Sequence, residues 1–160
     1  MEKKELKICI EVAKDIEELP ATEAKLVKNA KEAAQRAYSP YSKFSVGACL
    51  LLQNGVMVEG SNQENASYPC GCCAERTALH YAKSQYPNEK IIAIAIVAYD
   101  QNNLLLKDPV TPCGLCRQAL LEYEIANQEP IKIIMNGANY TYIVNSATDL
   151  LPLSFDKNKL

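Results

Sequence analysis

Histidine is nearly missing from this chain, which has a single one, His80, in 160 residues. That excludes a zinc site built from several histidines of one chain and leaves one candidate base for any Ser-His-Asp arrangement. A catalytic metal would therefore need sulfur ligands. An excess of charge of either sign is also lacking. Seventeen Lys and Arg against 19 Asp and Glu leave a formal charge of −2, with no basic footprint for a phosphate backbone. Nucleic acid is not an expected partner. The longest apolar run, Ile91 to Tyr99, spans nine residues, far short of the ~20 that a membrane-spanning helix needs. The N-terminus is rich in Glu and Lys and lacks a signal-peptide core. These absences lead to the expectation of a soluble, cytoplasmic protein with no membrane partner. No repeat, linker or low-complexity stretch divides the chain, and its length suits one domain that buries roughly 70% of its unfolded surface.

Cysteine, by contrast, is plentiful. Seven of them, an odd number, in a chain without an export signal point to reduced thiols rather than a disulfide framework, so metal binding or reactivity leads.

Periodicity predicts the elements. In residues 1–20, Leu6, Ile8, Ile10 and Val12 alternate like a strand, while Leu6, Cys9, Ile10, Ala13 and Ile16 fit a helical stripe. Residues 1–21 are therefore set apart as an accessory segment, and 22–160 as the main domain. From Thr22, a candidate N-cap, Leu26, Val27, Ala30, Ala33, Ala34 and Ala37 mark one helix face, stopped by Tyr38-Ser39-Pro40. Strands are expected at Phe44 to Gln53 and Val56 to Glu59, joined by Asn54-Gly55 in a type I′ turn with positive φ at both residues. A helix over Ala74 to Gln85 and a doubly covered strand over Lys90 to Tyr99 follow. Thr111-Pro112 should open a helix running to about Ala126, with last strands at Ile131 to Met135 and Tyr140 to Val144. The expected fold is α/β, a three-layer α/β/α sandwich around a five-stranded mixed sheet.

Two cysteine clusters carry the chemistry. Cys113-Gly114-Leu115-Cys116 falls at a helix start, where an i,i+3 pair shares one face and the positive helix end favours thiolates. Cys70-Gly71-Cys72-Cys73-Ala74-Glu75-Arg76 opens another helix. If Cys70 and Cys73 both join the pair, the result is a closed four-thiolate structural zinc site. If only Cys73 joins, one coordination position stays open and Glu75 can act there as an acid/base. The glutamate separates the two readings, because a closed site gives a carboxylate no task and surrounds it with like charge.

Cys73-Ala74-Glu75 with Pro112-Cys113-Gly114-Leu115-Cys116 resembles the paired zinc signature of the cytidine deaminase superfamily in its three-cysteine form. The likeness extends to Tyr38 to Phe44, Val46-Gly47-Ala48, Asn62 to Tyr68, Pro112 to Gln118, and Leu150-Leu151-Pro152 with Phe155, so it covers about residues 22 to 155. In these segments the chain resembles the small homotetrameric cytidine deaminases that act on free nucleosides. Ser45 stands where a proline is common, and Cys70 and Cys72 where apolar residues are usual. The resemblance implies one Zn²⁺ per chain on Cys73, Cys113 and Cys116, and zinc-assisted attack of water on carbon 4 of cytidine or 2′-deoxycytidine. Uridine or 2′-deoxyuridine and ammonia would be released, in pyrimidine salvage. Glu75 would carry the protons, and Arg76 would offset the thiolate charge. Asn62 and Glu64 would hold the ribose, Phe44 and Ala74 the rest of the nucleoside, and Tyr68 and Phe155 would close sites of neighbouring subunits in a homotetramer. The alternatives are a same-fold deaminase of another aminated heterocycle, such as a nucleoside antibiotic, and a non-enzymatic four-cysteine zinc module. His80 reads as an ordinary helix residue, Cys9 and Cys49 as small buried hydrophobes, and the Asn65-Ala66-Ser67 and Asn139-Tyr140-Thr141 glycosylation patterns as chance.

Overall fold

A computed structural model describes residues 1–160. Its elements follow the order β1 (Glu11–Ala13), α1 (Ala21–Ala34), β2 (Ser45–Leu52), β3 (Met57–Ser61), α2 (Ala74–Gln85), β4 (Ile91–Tyr99), α3 (Gly114–Asn127), β5 (Lys132–Asn136) and β6 (Thr141–Val144). The sheet runs β1-β6-β5-β4-β2-β3, with β4 and β5 parallel and every other pair antiparallel. It has six strands instead of five. The extra one comes from the N-terminal segment, where Glu11, Val12 and Ala13 add to the outer edge of β6; the strand-like alternation of that segment prevails over its helical stripe. Cys49 is buried as expected, but Cys9 is exposed, because the residues before β1 have no layer to pack under.

Helices cover both faces. On one side α1 buries Leu26, Val27, Ala30, Ala33 and Ala34 against Cys49, Ala93, Ala95, Val97 and Ile134. On the other, α2 and α3 enclose Leu50, Ile94, Ile96, Leu120 and Ile133. Strand β4, buried on both faces over most of its length, is therefore apolar without alternation. No helix is long and apolar enough to cross a membrane.

The β2–β3 connection departs from the type I′ expectation. Leu52 N donates to Val56 O and Gly55 N to Leu52 O, and only Gly55 has a positive φ, at +84°. This is a three-residue loop with glycine in the left-handed position, and Asn54 Oδ1 accepts from Val56 N instead of adopting positive φ. Helix α3 also starts later than expected. Cys113, not Thr111, sits at its N-cap with extended backbone, and the Thr111 hydroxyl accepts from Arg117.

Small residues set how closely the site helices approach the sheet. A Cβ on Gly60 would lie 2.5 Å from Ala78 N and 2.6 Å from Ala74 O, so α2 rests directly on β3. Gly60→Ala should therefore push the N-terminal turn of α2 outward. We expect a stability loss of about 1–3 kcal/mol or more and a fall in metal occupancy, read by thermal denaturation and zinc content. The far end of α3 is pinned by Glu124, which is 7% exposed and accepts from Ile131 N and Ala147 N, both at 2.7 Å, and from the Ser146 and Thr148 hydroxyls. Burial opposes its ionisation, but these hydrogen bonds outweigh it and hold the carboxyl below its usual range.

Candidate active site

The three expected ligand cysteines meet where the N-termini of α2 and α3 converge. Cys73 is the N-cap of α2, Cys113 the N-cap of α3, and Cys116 stands one turn into α3. Neither N-cap side chain caps a backbone amide of its helix, so both sulfurs are free to turn toward each other. Cys73 Sγ lies 3.8 Å from Cys113 Sγ, Cys113 Sγ lies 3.6 Å from Cys116 Sγ, and all three fall within 4.8 Å of one another. Tetrahedral zinc with Zn–S near 2.3 Å separates its sulfurs by about 3.8 Å. The donor set fits one Zn²⁺ per chain.

The surroundings favour thiolate at Cys73. Hydrogen bonds from Cys116 and Cys113, with help from Arg76, bring Cys73 down to about 5 against the effect of its burial. Cys116 is pushed up, first by its hydrogen bond with Cys73 and then by burial. Cys70 and Cys72 stand outside the cluster, and Cys70 Sγ instead approaches Ser67 Oγ at 3.6 Å. The four-thiolate arrangement is thus not assembled. Arg76 Nη2 donates to Gly71 O at 3.2 Å, while its buried Nε has no partner. His80 is exposed on α2.

Beside the thiols lies a cleft of about 420 Å³. Cys73, Cys113 and Glu75 line it together with the apolar Phe44, Val46, Ile96 and Val110 and the polar Ser42, Asn62, Glu64 and Thr111. Glu75 is the second residue of α2 and only 4% exposed, and burial raises its pKa. The segment carrying Asn62 and Glu64 is tied on two sides. Tyr38 N donates to Asn62 O and Glu64 N to Tyr38 O, while Gln63 and Cys72 exchange hydrogen bonds. This places the polar segment next to the start of α2.

Backbone groups hold both polar side chains. Asn62 Oδ1 accepts from Val46 N at 2.7 Å and its Nδ2 donates to Phe44 O at 2.9 Å. Glu64 accepts from the Ser42 hydroxyl and from Tyr41 N and Ser42 N, and the Ser42 bond leads in holding its pKa low. Asn62 and Glu64 both line the cleft, and no local pattern announces these backbone bonds. Ser42, Val46, Ile96, Val110 and Thr111 were not singled out as site residues, since each has the pattern of an ordinary strand or loop position.

Three expected residues lie outside the lining of the thiol cleft. Ala74 is fully buried, its carbonyl close to Gly60. Tyr68, 77% exposed, lines a neighbouring cleft of about 440 Å³ with Arg76 and Leu115. Phe155, 59% exposed, is anchored through its carbonyl, which accepts from Gln118 Nε2 at 3.0 Å. Neither aromatic lines the thiol cleft of its own chain.

Comparison with known proteins bears on the same region. A profile described as the cytidine and deoxycytidylate deaminase zinc-binding region matches residues 20–128. A cytidine deaminase of Sporosarcina psychrophila is 38% identical over 144 residues, covering 85% of this chain and 93% of the relative. One from Halalkalibacterium halodurans is 48% identical over 97 residues, 61% of this chain and 68% of the relative. Among solved structures, the cytidine deaminase of Burkholderia pseudomallei superposes with a TM-score of 0.68 at 36% identity, covering 82% of this chain and 97% of that one. The profile match alone runs from the residue before α1 to the end of α3 and so takes in all three thiols and Glu75, and on these similarities the chain belongs to the cytidine and deoxycytidylate deaminase family.

Proposed function

We propose that this enzyme hydrolyses the exocyclic C–N bond of cytidine and 2′-deoxycytidine, giving uridine or 2′-deoxyuridine and ammonia, as a step of pyrimidine salvage. The observation that carries the reading is the single cleft shared by the thiol cluster, the buried Glu75 carboxyl and the Asn62/Glu64 pair. Cys73, Cys113 and Cys116 would hold the zinc, which when bound supplies the Lewis acidity that makes water a nucleophile near neutral pH. Glu75 takes a proton from the attacking water and delivers it to ring nitrogen 3, then takes the remaining proton of the new 4-hydroxyl and passes it to the amino group, which leaves as ammonia as the carbon 4 carbonyl forms. Glu64 accepts from the ribose 3′-hydroxyl. Asn62 joins it there, since its amide has four hydrogen-bonding sites and its backbone contacts use two. Phe44 packs against the base, and the Ala74 amide adds a backbone donor.

The test of the substrate class compares cytidine, 2′-deoxycytidine, free cytosine and 2′-deoxycytidine 5′-phosphate. The two nucleosides should turn over and cytosine should not, because it makes no sugar contacts. Equal kcat/KM for cytosine would remove the assignment of Asn62 and Glu64. The cytoplasm suits this chemistry, since all seven cysteines are free thiols.

Arg76 has a role that a mutation series can isolate. Three thiolates leave a zinc site with net negative charge and weaken the metal as an electrophile, and the Arg76 guanidinium beside Cys73 offsets it. Arg76→Ala should lower zinc retention and kcat together. Replacing one thiolate by imidazole in Arg76→Ala/Cys73→His should recover part of both. If the double variant is no better than Arg76→Ala alone, charge compensation is not its role.

We further infer a homotetramer in which Tyr68 and Phe155 complete sites of neighbouring subunits; their exposure supports this, as does the benefit of excluding bulk water from the reaction. Mixed tetramers of inactive Glu75→Gln and Phe155→Ala subunits should exceed the activity of either parent. No recovery in verified mixed tetramers would contradict shared sites.

A further inference from the structure

The sixth strand brings an unpaired edge with it. Strand β1 lies at the end of the sheet and pairs on one side only, with β6, and residues 1–10 make no backbone hydrogen bond. Yet Leu6, Ile8 and Ile10 continue the alternation of Val12, and all four side chains are 47–56% exposed. Ala13 is buried in the α1 layer, so a strand continuing β1 backward puts Val12, Ile10, Ile8 and Leu6 on the opposite face. Glu11, Cys9, Lys7 and Glu5 then share the face of Ala13. An apolar edge of this length is a template for another strand.

The sequence of this edge is complementary to itself. We propose that residues 5–13 pair antiparallel with the same segment of a second copy, across a twofold axis through Cys9, so that two six-stranded sheets join into one. In this register Lys7 faces the partner's Glu11, Leu6 faces the partner's Val12, and Ile8 faces the partner's Ile10. Two ion pairs and two kinds of apolar pair form at once.

Other registers lose these pairings. A shift of the axis to Ile8 sets Glu5 against the partner's Glu11, and a shift to Ile10 leaves Lys7 against the partner's Ala13. An axis at Lys7 or at Glu11 puts that residue against its own copy, and parallel in-register pairing stacks like charges at both positions. Slips by a single residue set the apolar face against the polar one. Glu11 can serve this contact, because Asn145 engages only its Oε1.

Charge reversal in the full-length, zinc-loaded chain tests the pairing. Lys7→Glu or Glu11→Lys alone puts like charges opposite each other twice, and should weaken the association seen in sedimentation by about tenfold or more. The double variant Lys7→Glu/Glu11→Lys should restore it. Deleting residues 1–10 leaves the catalytic domain intact and should halve the mass of whatever assembly that domain builds. Backbone amides within residues 6–10 should exchange slowly in the parent and fast in either single variant. The proposal is overturned if the deletion leaves the mass unchanged, if the double variant associates as weakly as the singles, or if those amides exchange fast in the parent. Slow exchange without any change in mass also overturns it, since the segment would then be folding onto its own chain.

Discussion

Glu75→Gln should leave a folded protein with one zinc per chain and turnover of cytidine reduced by at least the ~10²–10⁴-fold typical of lost acid–base catalysis. The amide has nearly the shape of the carboxyl, so the first turn of α2 and the packing around a residue only 4% exposed are preserved. What is lost is the ability to take and give a proton. The proposed reaction needs that ability twice, first when water is deprotonated for attack and again when the amino group leaves. Zinc content by elemental analysis and nucleoside affinity by equilibrium binding should both stay within a few-fold of the parent. Turnover near the parental rate would mean that another group moves the protons, and the one other carboxyl lining the cleft, Glu64, is engaged by Tyr41 N and by the amide and hydroxyl of Ser42.

Cys113→Ala should abolish both metal and activity, whereas Cys70→Ala/Cys72→Ala should retain both. Cys113 is the sulfur that lies within 3.8 Å of Cys73 and 3.6 Å of Cys116, so its loss leaves two thiols and a gap. Structural zinc sites contribute about 10–16 kcal/mol of binding free energy in small peptides, and losing one of three protein ligands removes enough of it to empty the site at ordinary zinc concentrations. The fold should survive, because α2 and α3 each bury an apolar face independent of the metal. Circular dichroism should therefore change little while zinc falls from one per chain toward none. The contrast with the Cys70/Cys72 variant decides between the open and closed arrangements, since a four-thiolate site would lose zinc there too.

Much of this was legible in the sequence because local chemistry and tertiary structure agree. The α1 face, the unbroken apolar run of β4 and the helix over Ala74 to Gln85 each follow from periodicity. The two cysteine clusters imply a shared metal because each opens a helix. What could not be read depends on contacts distant in sequence. The accessory segment was ambiguous until β6 supplied an edge for Glu11 to Ala13 to join. Asn54-Gly55 suggested a two-residue turn, yet the register of β2 on β3 called for three, with only Gly55 at positive φ. Thr111-Pro112 has the signature of a helix start, but the hydroxyl of Thr111 is taken by Arg117 and the cap passes to Cys113. That shift moves the first thiol from inside the helix to its N-cap, where it faces Cys73. The bonds between the Asn62 amide and Phe44 and Val46 likewise join residues 18 and 16 positions apart, beyond any local pattern.

The central claim is hydrolytic deamination of a cytidine nucleoside in the cleft that holds Glu75 and the three thiols. It is tested most directly by incubating the zinc-loaded protein with cytidine in ¹⁸O-labelled water and identifying the product by mass spectrometry. The account predicts uridine carrying one ¹⁸O at carbon 4, with an equimolar amount of ammonia, and essentially no product from Glu75→Gln under the same conditions. Cytidine recovered unchanged from the parent protein, or uridine without the label, would contradict it.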